Sequence, residues 1–147
     1  MTTIDDDVRE VLAMRAKRDL AGVKYARRVR ELLQSGKYTQ VTLAKQLRVS
    51  QAAVSKMVKA VADVPEGFHG ATPYEIAQQY AAGELTREQV LDELARFPYD
   101  QHPSVDDLLD DLVVVPEGAH TFAEVGRALN DGLIDAALYD AVLDAKP

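Results

Sequence analysis

Residues 40–59 read QVTLAKQLRVSQAAVSKMVK, and their apolar positions predict two short helices, at about 40–47 and 51–62, joined by a turn. Ala44 is small enough for the two helices to touch at a steep angle. Ser50 stands where a cap would begin the second helix. Apolar residues recur where the inner faces and the turn need them, at Leu43, Leu47, Val49, Val54 and either Met57 or Val58.

The same spacing turns polar and small side chains outward from the second helix. Glutamine can pair with the edge of an adenine, small residues allow close approach to a groove, and serine and lysine can bond to bases or phosphates. The candidate base-reading residues are Ser50, Gln51, Ala52, Ser55 and Lys56. The candidate phosphate contacts surround them and are Arg27, Arg28, Lys37, Thr39, Lys45, Arg48 and Lys59.

The text LAKQLRVSQAAVSKMVK resembles the helix-turn-helix of the lambda-repressor and Cro-like regulators, over about residues 24–62. In that family the second helix enters the major groove, so the resemblance implies double-stranded DNA as the partner. Arg48 departs from the family, which prefers glycine at this turn position, and a left-handed backbone costs an L-residue ~1 kcal/mol or more. Either the turn is distorted, or the basic side chain reaches a phosphate.

The net charge of −7 conceals two halves of opposite sign. Residues 1–63 hold 13 Lys and Arg against 7 Asp and Glu, whereas residues 64–147 hold 4 against 17. A basic segment favours a polyanionic partner, and an acidic one is repelled by a phosphate backbone. We therefore predict a DNA-binding domain over 1–63 and an acidic domain over 64–147 that forms homo-oligomers or binds a partner protein.

The segment before the helix pair predicts one long basic helix, or two collinear helices, over residues 4–34. Gly22 lies near its centre and Gly36 just after its end, where glycine often closes a helix. An apolar and basic stripe runs along its first half, at Val8, Val11, Leu12, Arg15 and Arg18. This stripe fits a dimer-forming helix and, equally, packing on the second half of the chain.

The acidic half contains an internal repeat, because Val64-Pro65-Glu66-Gly67 recurs as Val115-Pro116-Glu117-Gly118. Each copy continues as a helix, a glycine and a second helix, with one apolar seam. The repeat aligns Val90 and Leu94 with Tyr139 and Leu143, and pairs of capping residues are predicted at Thr72 with Glu75, Thr86 with Gln89, and Thr121 with Glu124. Since one hairpin cannot bury its seam alone, the copies pack on each other or on another subunit.

A second resemblance covers about twenty residues of this half. IAQQYAAGELTREQVLDEL is similar to the short helical hairpins of the SHOCT type, a resemblance that implies oligomerisation. Ser104 is placed to cap a short acidic helix, and the one β-like run, residues 112–115, has no partner strand. The predicted fold class is all-α, with a long amphipathic helix, a helix-turn-helix domain and an acidic helical-hairpin domain.

Several classes of function are disfavoured by what the sequence contains. Cysteine is absent, the three histidines lack HxxxH spacing, and no Gly-rich phosphate loop occurs, so we expect no enzyme, metal or cofactor. The acidic N-terminus predicts no secretory signal, no apolar run is long enough for a membrane span, and the expected location is the cytoplasm. The predicted function is a sequence-specific DNA-binding transcriptional regulator, a repressor of phage, plasmid or prophage type. The alternatives are an antitoxin whose acidic half neutralises a toxin, and an adaptor that binds only proteins.

Overall fold

The structure, a computed structural model, describes residues 5–100 and 120–147. These residues form α-helices and no strand, which confirms the all-α prediction for them. The run at 112–115 and the acidic helix predicted after Ser104 lie outside the described residues. The helices are α1 (Asp6–Gln34), α2 (Gln40–Leu47), α3 (Gln51–Ala60), α4 (Pro73–Ala81), α5 (Arg87–Arg96), α6 (Ala123–Asn130) and α7 (Ala136–Ala145).

Helix α1 is a single element of 29 residues, so of the two predicted forms the continuous one is observed. Asp6 and Asp7 lie in its first turn, where carboxylates interact favourably with the positive end of the helix. Gly22 does not interrupt it. The chain leaves α1 at Gly36, whose φ of 79° is the left-handed conformation that glycine adopts without a steric penalty.

Two hydrophobic cores lie on opposite sides of α1. Leu20 is buried in the first and Val29 in the second, and nine residues correspond to about two and a half helical turns. We name the first the bundle core: Ala16, Leu20, Ile76, Ala77, Ala82, Leu85, Val90, Leu94, Phe97, Val125, Ala128, Leu133, Ile134, Leu138 and Val142. We name the second the α1–α3 core: Val29, Leu43, Ala44 and Val54, flanked by Leu32, Leu33, Tyr38, Leu47, Met57 and Val58. The division of domains at residue 63 stays a prediction, since α1 contributes to both cores.

The two copies of the repeat form two hairpins that pack on each other within the chain. Helix α4 packs against α6, and α5 packs against α7, so the seam of each hairpin is covered by the other. Gly83 and Gly132 turn the two hairpins with φ angles of 84° and 78°. Of the two predicted arrangements, packing between the copies of one chain is therefore the one observed.

The aligned register of the repeat is wrong in its last helix. Val90 and Leu94 are fully buried as predicted, but the buried residues of α7 are Leu138 and Val142. Leu143 is 47% exposed. The reason is that Val90 is the fourth residue of α5, whereas Leu138 is the third of α7, so the buried face is rotated by about 100°.

The three predicted pairs of capping residues have different outcomes. At Thr86 both bonds of a capping box are present, with Gln89 as the reciprocal partner. Thr72 accepts a hydrogen bond from the backbone N–H of Glu75 at 3.0 Å, but the Glu75 carboxylate does not return to Thr72. The prediction at Thr121 is wrong, because α6 starts at Ala123 and has no side-chain cap.

Candidate nucleic-acid interface

The turn between α2 and α3 is formed by three residues with distinct backbone roles. Arg48 has φ 60° and ψ 42°, and it is the one non-glycine residue with positive φ in the part of the chain that the structure describes. Its N–H donates to the Lys45 carbonyl at 3.3 Å, and the Val49 N–H donates to the Ala44 carbonyl at 3.0 Å. These bonds close α2 in the manner usual for a glycine in this conformation. Arg48 therefore adopts the left-handed conformation at a steric cost, and it closes α2 as a glycine would.

Side-chain caps start both helices of this pair. The Ser50 hydroxyl accepts a hydrogen bond from the Ala53 N–H at 3.0 Å, which confirms the predicted cap of α3. The Thr39 hydroxyl accepts one from the Thr42 N–H at 3.1 Å. Each cap satisfies a backbone donor that the first turn of a helix leaves unpaired. Thr39 is therefore the N-cap residue of α2, and its hydroxyl also lies 2.8 Å from the hydroxyl of Thr42.

The inner faces of α2 and α3 close on α1. Leu43 and Ala44 are each 3% exposed and Val54 is completely buried, as their spacing predicts. Leu47, Met57 and Val58 are partly buried against the same core. Val49 is different, because it is 37% exposed at the turn and contributes little to the core. A left-handed residue immediately before Val49 redirects its side chain, which periodicity alone does not anticipate.

The outward face of α3 carries the predicted base-reading residues. Ser50, Gln51, Ala52 and Lys56 are exposed, and Ser55 is half-buried. Among the described residues, α3 packs mainly against α1 and α2. The stretch 32–62 contains no Asp or Glu, and its five cations are Lys37, Lys45, Arg48, Lys56 and Lys59. All five are exposed, so this stretch presents a surface of positive charge.

Arg27 does not join the exposed cations. Its Nη2 lies 2.7 Å from Oε1 of Glu75, and its side chain is only 18% exposed. The same guanidinium also donates to the Ala62 carbonyl at 3.3 Å. Because its donors face these protein acceptors, we leave Arg27 out of the proposed phosphate contacts. Arg28 remains exposed and pairs with Glu31, one turn along α1, at 2.9 Å.

Two α1 arginines have a role that their charge does not indicate. Arg30 Nη1 donates to the Val61 carbonyl at 2.7 Å, next to the Ala62 carbonyl that Arg27 contacts. Carbonyls at and beyond the last turn of a helix lack intrahelical partners, and arginine side chains satisfy them well. The pair therefore fixes the exit from α3. The i, i+3 spacing of Arg27 and Arg30 is the one sequence feature that places them on one face.

The described residues contain no group of three or more His, Asp or Glu side chains arranged to hold a metal ion. None of their helices combines the length and apolarity that crossing a bilayer requires. The chain was compared with protein-family models, curated proteins and solved structures. None of the three comparisons finds a match. The resemblance of residues 24–62 to the lambda-repressor and Cro-like regulators therefore stays a prediction.

Proposed function

We propose that the protein is a sequence-specific DNA-binding transcriptional regulator that acts as a repressor. In this proposal α2 and α3 form a helix-turn-helix, and α3 lies in the major groove with its amino-terminal residues at the base edges. The observation that carries the proposal is the outward face of α3, which is exposed, free of acidic residues and rich in groups that bond to DNA.

The side chains of this face divide into two roles. Ser50, Gln51, Ser55 and Lys56, together with Ala52 as a close-approach position, are the base-reading residues of the proposal. Lys37, Lys45, Arg48 and Lys59 are the phosphate contacts, because they are exposed cations around that helix. Four phosphate contacts would make the logarithm of the binding constant fall with that of the salt concentration at a slope of about −4 per chain.

The placement of the acidic half supports the same orientation. Three cations of α1 bond to the acidic half of the chain: Lys24 to Glu84, Arg27 to Glu75, and Arg15 to the Asp131 carbonyl. These bonds hold the acidic half against α1. The bundle core and the α1–α3 core lie on opposite sides of that helix. A phosphate backbone that approaches α3 therefore first contacts the basic residues of the stretch 32–62. Charge repulsion disfavours contact between the phosphates and the acidic helices α4–α7.

The test is selection of binding sites from a random double-stranded DNA library by the full-length protein, followed by fluorescence anisotropy titrations. We expect one enriched sequence, bound about 10³-fold or more tightly than a scrambled duplex at physiological salt. Lys59→Ala should weaken binding to both duplexes and reduce the salt slope by about 1. Arg87→Ala is the matched control, because Arg87 is an exposed cation in the acidic half, paired with Asp135.

Two results would overturn the proposal. One is the absence of binding to any duplex at about 50 mM salt, where phosphate contacts are strong. The other is binding to DNA with no enriched sequence and equal losses for Lys59→Ala and Arg87→Ala. The first result favours the adaptor interpretation, in which the helix pair is purely structural.

A further inference from the structure

The amino-terminal half of α1 has a side that packs on nothing among the described residues. Val11 and Leu20 are nine residues apart, so they point to opposite sides of the helix. Leu20 is buried in the bundle core, whereas Val11 is 62% exposed and Met14 is 61% exposed. Val8, Val11 and Met14 are three of the seven large apolar side chains that are exposed in the described ranges. Three exposed apolar side chains within one short segment of α1 therefore form a candidate contact surface.

Charged residues bracket the two apolar residues in a symmetric order. Asp7, Val11, Met14 and Arg18 follow one another at spacings of four, three and four, which places them in one row along the helix. The row reads acidic, apolar, apolar, basic. Asp7 and Arg18 are both exposed, and Arg18 forms an ion pair with its neighbour Asp19 at 3.0 Å. Such an order is complementary to its own reverse.

We propose that two copies of this chain pair through this row, with their α1 helices antiparallel. Val11 of one copy packs against Met14 of the second copy, and Asp7 of one faces Arg18 of the other. Glu10 and Lys17, both exposed on one flank of the row, come together in the same arrangement. A parallel pair would instead set Asp7 against Asp7 and Arg18 against Arg18, which like-charge repulsion disfavours.

A second copy is the occupant that this charge order selects. The acidic end of the row repels the phosphates of DNA, so DNA is not the occupant. In a two-fold pair, each contact between residues of the row is made twice. In the described parts of residues 64–147 the hairpin seams are covered within one chain, so these seams are not available to a second copy. The contact is small, so the pair is a weak, reversible dimer. This inference is independent of DNA binding, because it concerns the free protein.

Sedimentation equilibrium of the full chain from about 10 µM to 1 mM tests the pairing, since small interfaces dissociate in this range. We expect a monomer–dimer equilibrium whose dissociation constant rises about tenfold or more in Val11→Glu, because a buried unpaired charge is costly. Leu143→Glu is the matched control, because Leu143 is an exposed apolar residue of α7, and it should leave the constant unchanged. Circular dichroism verifies that both variants remain folded.

Charge exchange and crosslinking test the orientation. Glu10→Lys and Lys17→Glu should each weaken the dimer, and the double variant should restore it. The chain has no cysteine, so Asp7→Cys and Arg18→Cys chains can be oxidised together or apart. An antiparallel pair gives more of the mixed disulfide, between an Asp7→Cys chain and an Arg18→Cys chain, than of the disulfide between two Asp7→Cys chains. The proposal is overturned by a monomer at every concentration, by a dimer that Val11→Glu does not weaken, or by preferential crosslinking of Asp7→Cys chains to each other.

Discussion

Arg27 and Glu75 form an ion pair that joins the basic and the acidic halves of the chain. Two bonds link their side chains, Nη2 to Oε1 at 2.7 Å and Nη1 to Oε2 at 3.3 Å. The side chains are 18% and 7% exposed, and Gln79 donates a further bond to Glu75 at 3.3 Å. A paired guanidinium and carboxylate in this fork geometry hold α1 and α4 in one relative position.

Breaking this pair should cost far more than breaking an exposed one. We expect Arg27→Ala to lower the free energy of unfolding by about 3 kcal/mol, because it leaves Glu75 buried without its partner. Lys24→Ala is the control: it removes the pair with Glu84, whose side chains are 55% and 39% exposed, and should cost under about 1 kcal/mol. Urea denaturation measures both, and equal losses would contradict the structural role of Arg27.

The strained turn allows stability to be separated from DNA binding. Arg48→Gly relieves the positive φ of 60° and should raise the free energy of unfolding by up to about 1 kcal/mol. The same variant removes a cation from the proposed phosphate contacts, so affinity for every duplex should fall. Thermal melting and anisotropy titrations measure the two effects. A variant that is less stable than the parent would show that the Arg48 side chain supports the fold.

Base reading by α3 predicts a loss of preference rather than of affinity. In Gln51→Ala with Ser55→Ala, the ratio of binding constants for selected and scrambled DNA should fall about 10-fold to 100-fold, since a good base contact contributes ~1–3 kcal/mol of discrimination. Binding to the scrambled duplex should hardly change. Competition titrations with both duplexes measure the ratio, and a uniform loss on both would rule out base reading by these side chains.

The cap of α7 predicts a pH-dependent contribution to stability. Asp135 Oδ1 accepts a hydrogen bond from the Leu138 N–H at 2.7 Å, and this bond, with Arg87 at 3.3 Å, holds the pKa of Asp135 below its ordinary value of 3.8. A lowered pKa means that the contribution is complete above that ordinary value and is lost as the pH falls through the folded-state pKa.

Asp135→Ala should therefore lower the free energy of unfolding by about 1 kcal/mol at pH 7, and the difference from the parent should shrink in acid. Asp135→Asn is the matched control, since asparagine caps a helix without titrating. Urea denaturation at pH 7 and in acid measures the difference. A loss in Asp135→Ala that stays constant down to acid pH would show that the ionised carboxylate is not the stabilising species.

Features set by residues close in sequence were predictable. The caps at Ser50 and Thr86 and the helices on both sides of the 48–50 turn depend on hydrogen bonds that reach only three or four residues. The Arg48 departure also indicated a strained position, and the structure places it at positive φ. Local geometry decides such features, so the order of residue types is enough to locate them.

Features that depend on residues distant in sequence were not predictable. Arg27 and Glu75 are 48 residues apart, and nothing in either neighbourhood indicates that they meet. Periodicity marked the apolar residues of α7 but not which of its adjacent stripes, Leu138 and Val142 or Tyr139 and Leu143, faces α5.

By itself, then, the sequence determined the all-α character of the described residues, most of their helix ends and the concentration of positive charge before residue 63. Only the tertiary structure decided that α1 separates two cores, that the hairpins pack within one chain, and that Arg27 is paired internally while most outward side chains of α3 are exposed. The physical reason is that hydrogen bonds within a helix turn are local. Burial and ion pairing instead depend on which surfaces meet, and long-range packing alone settles that.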